Sequence, residues 1–209
     1  MTAPDAAARG AASPGSAPSP QLAAIVADFA RAQARLHRLA DALPEERWAA
    51  RPGPDRWSAA ECVAHLNLTS RAYVPLVRAA LAAGGELPAD AAARDGVRRY
   101  RRDPIGWLIS TISGPLPSLG RLRLGRVRTV ASFVPGGALP RAELVAEFDA
   151  LQAEQTSLTR EADGLPLDRI QVVSPFDARV RYNLYAALVT LPRHQHRHLG
   201  QAEAAVGGR

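Results

Sequence analysis

The chain has no lysine: all 26 of its basic residues are arginine. With formal charge +6 and abundant alanine, glycine and proline, that monotony reads as compositional bias rather than as a surface selected for phosphate. Nine arginines fall between Arg94 and Arg128, but Tyr100 and Trp107 are the only aromatics there, too few for the stacking platform that single strands need. No nucleic-acid partner is expected. A single cysteine, Cys62, excludes an internal disulfide, a CxxC redox pair and a thiolate zinc knuckle. No run approaches the roughly 18 apolar residues that cross a bilayer, and no basic-then-apolar leader opens the chain. The expectation is a cytoplasmic protein with no membrane partner. An HExxH motif, with its built-in general base, is also missing.

What is present is enough for one domain. The 209 residues are 47% hydrophobic, within the range of a single core. Residues 1–20 offer almost nothing large to bury and read as a disordered leader. From Gln21 the apolar residues Leu22, Ile25 or Val26, Phe29, Ala32, Leu36, Leu39 or Ala40, and Leu43 recur at three- and four-residue steps. That spacing predicts an amphipathic helix, ended by Pro44. In "RWSAAECVAHL" a second helix opens with a complete start signal. Ser58 and Glu61 form a reciprocal capping box, and Trp57 is placed to staple onto Cys62. The helix is expected to pass Val63, Leu66, Tyr73, Val74, Val77 and Leu81 to the Gly84-Gly85 pair, with Pro75 bending or breaking it.

Periodicity fades from about residue 86 to 139, with "DPIGWLISTIS" the best short helix inside a long crossover. A third helix follows Pro140, with Leu144, Val145, Phe148, Leu151 and Leu158 inward and Gly164 as terminator. After the extended piece "RIQVVSPF", Asn183 caps a fourth helix. Its inner stripe is Leu184, Leu188, Leu191, His194 or Gln195, His198 and Ala202. The pattern is all-α: four long helices with the long connection between the second and third, a bundle order.

Three of the five histidines lie in "LPRHQHRHLGQ". His194 and His198, four residues apart, stack on one helical face in line with the apolar stripe, while His196 is turned about 200° away toward solvent. Two imidazoles are half of a metal site, and a third ligand must come from another helix. His65, beside Val63 and Leu66, is the best remaining inward candidate. The competing reading stays open at this point: paired histidines also bond water, and a buried histidine bonded to a carbonyl needs no metal. His37 reads as structural or exposed, and Glu61 is assigned to capping.

The two motifs "RWSAAECVAHL" and "HQHRHLGQAE" resemble the opening and closing signatures of the DinB/YfiT-like metalloenzyme superfamily. The likeness runs from about Gln21 to Val206 and takes in the crossover segment "SFVPGG". It implies a four-helix bundle with up-down-down-up connectivity. It also implies one divalent metal (zinc, nickel, iron or manganese) held by His65, His194 and His198. Superfamily members include transferases that use thiols such as mycothiol or bacillithiol, so the first expectation is thiol-dependent transfer to a small molecule through a metal-activated thiolate. Arginines between Arg94 and Arg128 would then grip the carboxylates of such a thiol or be simple solvated surface. A metal-dependent hydrolase comes second, and a non-catalytic metal-binding or partner-binding module third. A homodimer is compatible with a bundle that keeps one apolar face exposed. Two features depart from the family pattern: Pro192, two residues before His194, and the extra His196.

Overall fold

The computed structural model describes residues 19–85, 99–115, 130–136 and 140–207. Among these the protein is all-α apart from one small hairpin. The helices are α1 (Pro20–Asp41), α2 (Glu45–Ala49), α3 (Ala59–Gly85), α4 (Pro104–Ile112), α5 (Arg141–Glu161) and α6 (Leu184–Val206). A 3-10 turn spans Ala131–Phe133, and β1 (Gln171–Val173) pairs antiparallel with β2 (Arg181–Asn183).

The leader expected over 1–20 lies outside the described residues except at its end, which the structure corrects. Pro20 already stands in the first turn of α1, and Ser19 is buried with its amide on Asp163. Much of the crossover, and with it most of the arginines between Arg94 and Arg128, also lies outside the described residues. Helix α3 runs through Pro75 without a break. Pro75 is exposed, so the donor it lacks costs α3 one bond on the solvent side, where water can satisfy the freed carbonyl. Pro192 is likewise contained within a continuous α6.

The start signals hold in detail. Glu61 N donates to Ser58 Oγ at 3.1 Å and Ser58 N donates to Glu61 Oε2 at 2.9 Å, the reciprocal box that fixes where α3 begins. Asn183 Oδ1 accepts from Ala186 N at 2.9 Å and opens α6. Gly164, after α5, has φ +82°, a conformation glycine adopts without the Cβ clash other residues meet.

Helix α3 packs on α5 and α6, and α1 packs on the same two. The interior forms two apolar clusters. One gathers Leu22, Phe29, Tyr73, Val77, Leu158, Leu184 and Leu188; the other gathers Leu36, Trp48, Val63, Leu66, Phe148 and Leu199. Between them α3, α5 and α6 each pass through a buried polar step. Gln152 of α5 and Gln195 of α6 exchange amide bonds at 2.8 and 3.1 Å, and Gln152 also donates to the Phe29 carbonyl at 2.6 Å. Asn67 of α3 donates to the Leu144 carbonyl at 2.9 Å, and Thr69 and Ser70 are buried at the same level. This polar waist is the level at which the histidines of α3 and α6 face one another.

Candidate metal centre

The capping box fixes the start of α3, and the buried stripe of that helix turns His65, two turns later, inward, 3% exposed. The Asn183 cap does the same for α6, bringing His194 and His198 onto the flank that faces α3. The His65 ring centroid lies 5.2 Å from that of His194 and 4.4 Å from that of His198, and the last two are 4.4 Å apart. One nitrogen from each imidazole can be chosen so that all three lie within 4.8 Å of one another. The structure therefore brings together the three histidines that the sequence singled out. Metal–nitrogen bonds of about 2.0–2.1 Å hold ligand atoms closer than that, so small side-chain shifts would close the group on an ion.

Each ring is held in the state a metal needs. His65 Nδ1 lies 2.8 Å from the Phe133 carbonyl oxygen. A carbonyl only accepts, so Nδ1 carries the proton and Nε2 is left with a free lone pair. Burial pushes the His65 pKa down, against the partial opposition of the Phe133 bond. Burial also takes His194 down to about 3, with the neighbouring His65 and Arg197 adding to the effect, although one edge of His194 keeps some exposure. His198 falls well below the ordinary histidine value, mostly by burial and then by His194, His65 and Arg197, with Gln201 opposing. Three neutral imidazoles are three donors. His198 Nδ1 is buried without a hydrogen-bond partner, and in the tautomer that leaves it unprotonated its lone pair would be met by a cation. The donor set fits a first-row divalent metal.

The surroundings assign the remaining candidates. Trp57, expected to staple onto Cys62, packs against the cluster containing Cys62 and lays its ring over the site, 5.0 Å from His65 and 6.0 Å from His198. Cys62 is buried and stands outside the histidine group; burial, with Glu61 adding, raises its thiol to about 12, so it stays protonated. Burial raises the Glu61 carboxyl, but bonds from Arg51 and Ser58 outweigh that and hold it low. His37 pairs with Asp149 at 2.8 Å, away from the group. His196, predicted to face solvent, instead approaches Asp28 of α1 at 3.7 Å and is only partly exposed. Its side of α6 lies against α1 rather than in water.

Two neighbours escaped the sequence. Phe133 acts through its carbonyl, and a backbone oxygen has no residue-type signature; the only sign of it was the resemblance of "SFVPGG". Arg197, half-buried on α6, donates to the Ile112 carbonyl at the end of α4 while its charge acts on His194 and His198. Burial lowers its own pKa without threatening its charge at neutral pH.

No carboxylate joins the three histidines among the described residues. No curated protein and no solved structure matches the chain. The family model of the DinB superfamily matches residues 28–202, a span that contains α3, most of α6 and all three histidines. The chain belongs to the DinB superfamily.

Proposed function

We propose that the protein is a metal-dependent enzyme of thiol transfer, with His65, His194 and His198 as the ligands of one divalent transition metal. The observation that carries this is the convergence of three neutral imidazoles from two helices with no acidic or thiol side chain in the set. Three protein ligands would leave positions free, and the chemistry a divalent cation would supply there is the lowering of a thiol's pKa, so that a thiolate would be available at neutral pH. The Phe133 carbonyl keeps His65 in the tautomer that presents Nε2, Trp57 shields one side from water, and Arg197 adds a fixed positive charge beside the group. That charge suits an anionic cosubstrate such as bacillithiol, a thiol that carries carboxylates.

Hydrolysis ranks second because it needs a general base near the metal, and Glu61, the nearest acidic residue in sequence to His65, is committed to Ser58 and Arg51. A non-catalytic module ranks third. The pairing of α1 and α3 with α5 and α6 supports a four-helix bundle of up-down-down-up connectivity. Among the described residues no helix is long and apolar enough to cross a membrane. We place the protein in the cytoplasm, acting on a small molecule rather than on nucleic acid or membrane, as a monomer or homodimer. Zinc, nickel, iron and manganese all accept this donor set.

Elemental analysis of the purified protein tests the core of the proposal. The expectation is near one equivalent of divalent metal, lost in His65→Ala, His194→Ala and His198→Ala and retained in His196→Ala. A parent that stays metal-free after reconstitution overturns it.

A further inference from the structure

Thr69 stands one turn beyond His65 on the same side of α3, about 6 Å further along the axis. It is 2% exposed, and its hydroxyl has no hydrogen-bond partner. Threonines inside helices have an acceptor at hand, the carbonyl four residues back. Thr111, Thr159 and Thr190 use it, donating to Trp107, Gln155 and Ala186 at 2.7, 2.8 and 2.7 Å. Thr69 does not use the His65 carbonyl. A buried hydroxyl that forgoes its local acceptor costs stability unless something else meets it.

Aromatic rings gather along this stretch of α3. Phe133 bonds His65 through its carbonyl and sets its ring 4.4 Å from Phe176, which in turn meets Tyr73 edge-on at 6.1 Å. His65, Thr69 and Tyr73 are successive turns of α3, so the two phenylalanines bridge from the first to the third, and Thr69 is the turn between. On α6, Thr190 stands one turn before His194, with its own hydroxyl spent on the Ala186 carbonyl.

We propose that Thr69 is a substrate-positioning residue: its hydroxyl binds a polar group on the thiol that occupies the open side of the histidine site, and so selects thiols that carry a hydrogen-bonding group close to sulfur. The assignment rests on the metal-thiol reading given above. The Phe133–Phe176 pair covers the bound molecule, and the hydroxyl offers one donor and one acceptor to an alcohol, amide or carboxylate.

The test uses the full chain loaded with cobalt(II), whose thiolate charge-transfer band reports sulfur binding without any assay of turnover. Two probes of similar size, 2-mercaptoethanol and 1-propanethiol, differ by a hydroxyl in place of a methyl group. The ratio of their dissociation constants is compared in the parent, Thr69→Val and Thr69→Ser. In Thr69→Val, the advantage of mercaptoethanol over propanethiol falls roughly five- to tenfold relative to the parent, the scale of one buried hydrogen bond, while Thr69→Ser retains it. Thermal melting of the metal-free proteins supplies a second reading: Thr69→Val melts at or above the parent temperature, because no protein bond is lost. An unchanged ratio in Thr69→Val, or a metal-free melting temperature below the parent's, overturns the role of Thr69. A cobalt-loaded parent that shows no charge-transfer band with either thiol overturns the thiol reading itself, and the Thr69 proposal with it.

Discussion

Acid should weaken the metal-free protein in a pH range where ordinary carboxylates are silent. His194 and His198 have folded-state pKa values far below that of a free imidazole, and His65 is shifted in the same direction. Below about pH 6.5 the unfolded chain takes up protons at these positions and the folded chain does not. Stability is therefore complete above pH 6.5 and falls as the pH drops toward the folded values. Between pH 6.5 and 5.0 an imidazole that stays neutral when folded costs about 1.6 kcal/mol. His198 counts in full and His194, with one exposed edge, somewhat less, so the pair removes about 2–3 kcal/mol, with His65 adding to it. For a urea slope of roughly 2–3 kcal/mol per molar, the midpoint of EDTA-treated protein falls by about 1 M. The carboxylates whose pKa values are lowered, Glu61 and Asp177, contribute mainly below this window. A His194→Gln, His198→Gln double variant should flatten the dependence. A parent midpoint that stays within about 0.2 M between the two pH values would refute the reasoning, because it would mean that the imidazoles take up protons freely in the folded state.

Metal should stabilise the folded chain by mass action: zinc at 100 times its dissociation constant adds about 2.7 kcal/mol, read as a rise in melting temperature of roughly 5–10 °C that EDTA reverses. Ser58→Ala removes the acceptor for the Glu61 amide and should cost about 1 kcal/mol in urea unfolding, with metal content unchanged, since His65 is held from further along α3. Gln152→Leu or Gln195→Leu alone strands the partner amide and should cost about 1–3 kcal/mol. The double leucine variant should lose less than the sum, a coupling that a double-mutant cycle of denaturation curves measures.

The long helices were legible because each buries a stripe at helical spacing, and Leu22, Phe29, Leu36, Leu144, Phe148, Leu184 and Leu188 are all core. The shorter elements were less so. Helix α2 is five residues long and buries only Trp48, too little for periodicity to register. Helix α4 inverts the usual rule: Gly106 and Ser110 face inward, while Ile105, Trp107, Leu108 and Ile112 stay exposed. The reason is proximity, because a Cβ on Gly106 would collide with that of Ala186 on α6. In the hairpin, "RIQVVSPF" announced β1, but β2 is three residues that merge into the cap of α6. Within the site, His65, His194 and His198 were readable from helical phase and resemblance together. The hydroxyl of Thr69 was not, since sequence alone says nothing of which acceptors a threonine declines.

The folded chain also separates histidines that the bare chain keeps side by side. His194, His196 and His198 fall within five consecutive positions, and only the helix sends the middle one toward Asp28 while its neighbours turn to His65. Before α6 forms, all three can chelate the same ion locally, at no cost in closing a long loop, whereas recruiting His65 means closing 128 residues of chain between His65 and His194. If the protein folds in the presence of metal, the histidine group of the folded chain and a local five-residue trap would compete for the ion. The trap would draw on the same two candidate ligands, so abundant ion early in folding would delay the exchange of His196 for His65. The thermodynamic benefit of metal is also reduced by whatever affinity the unfolded segment retains.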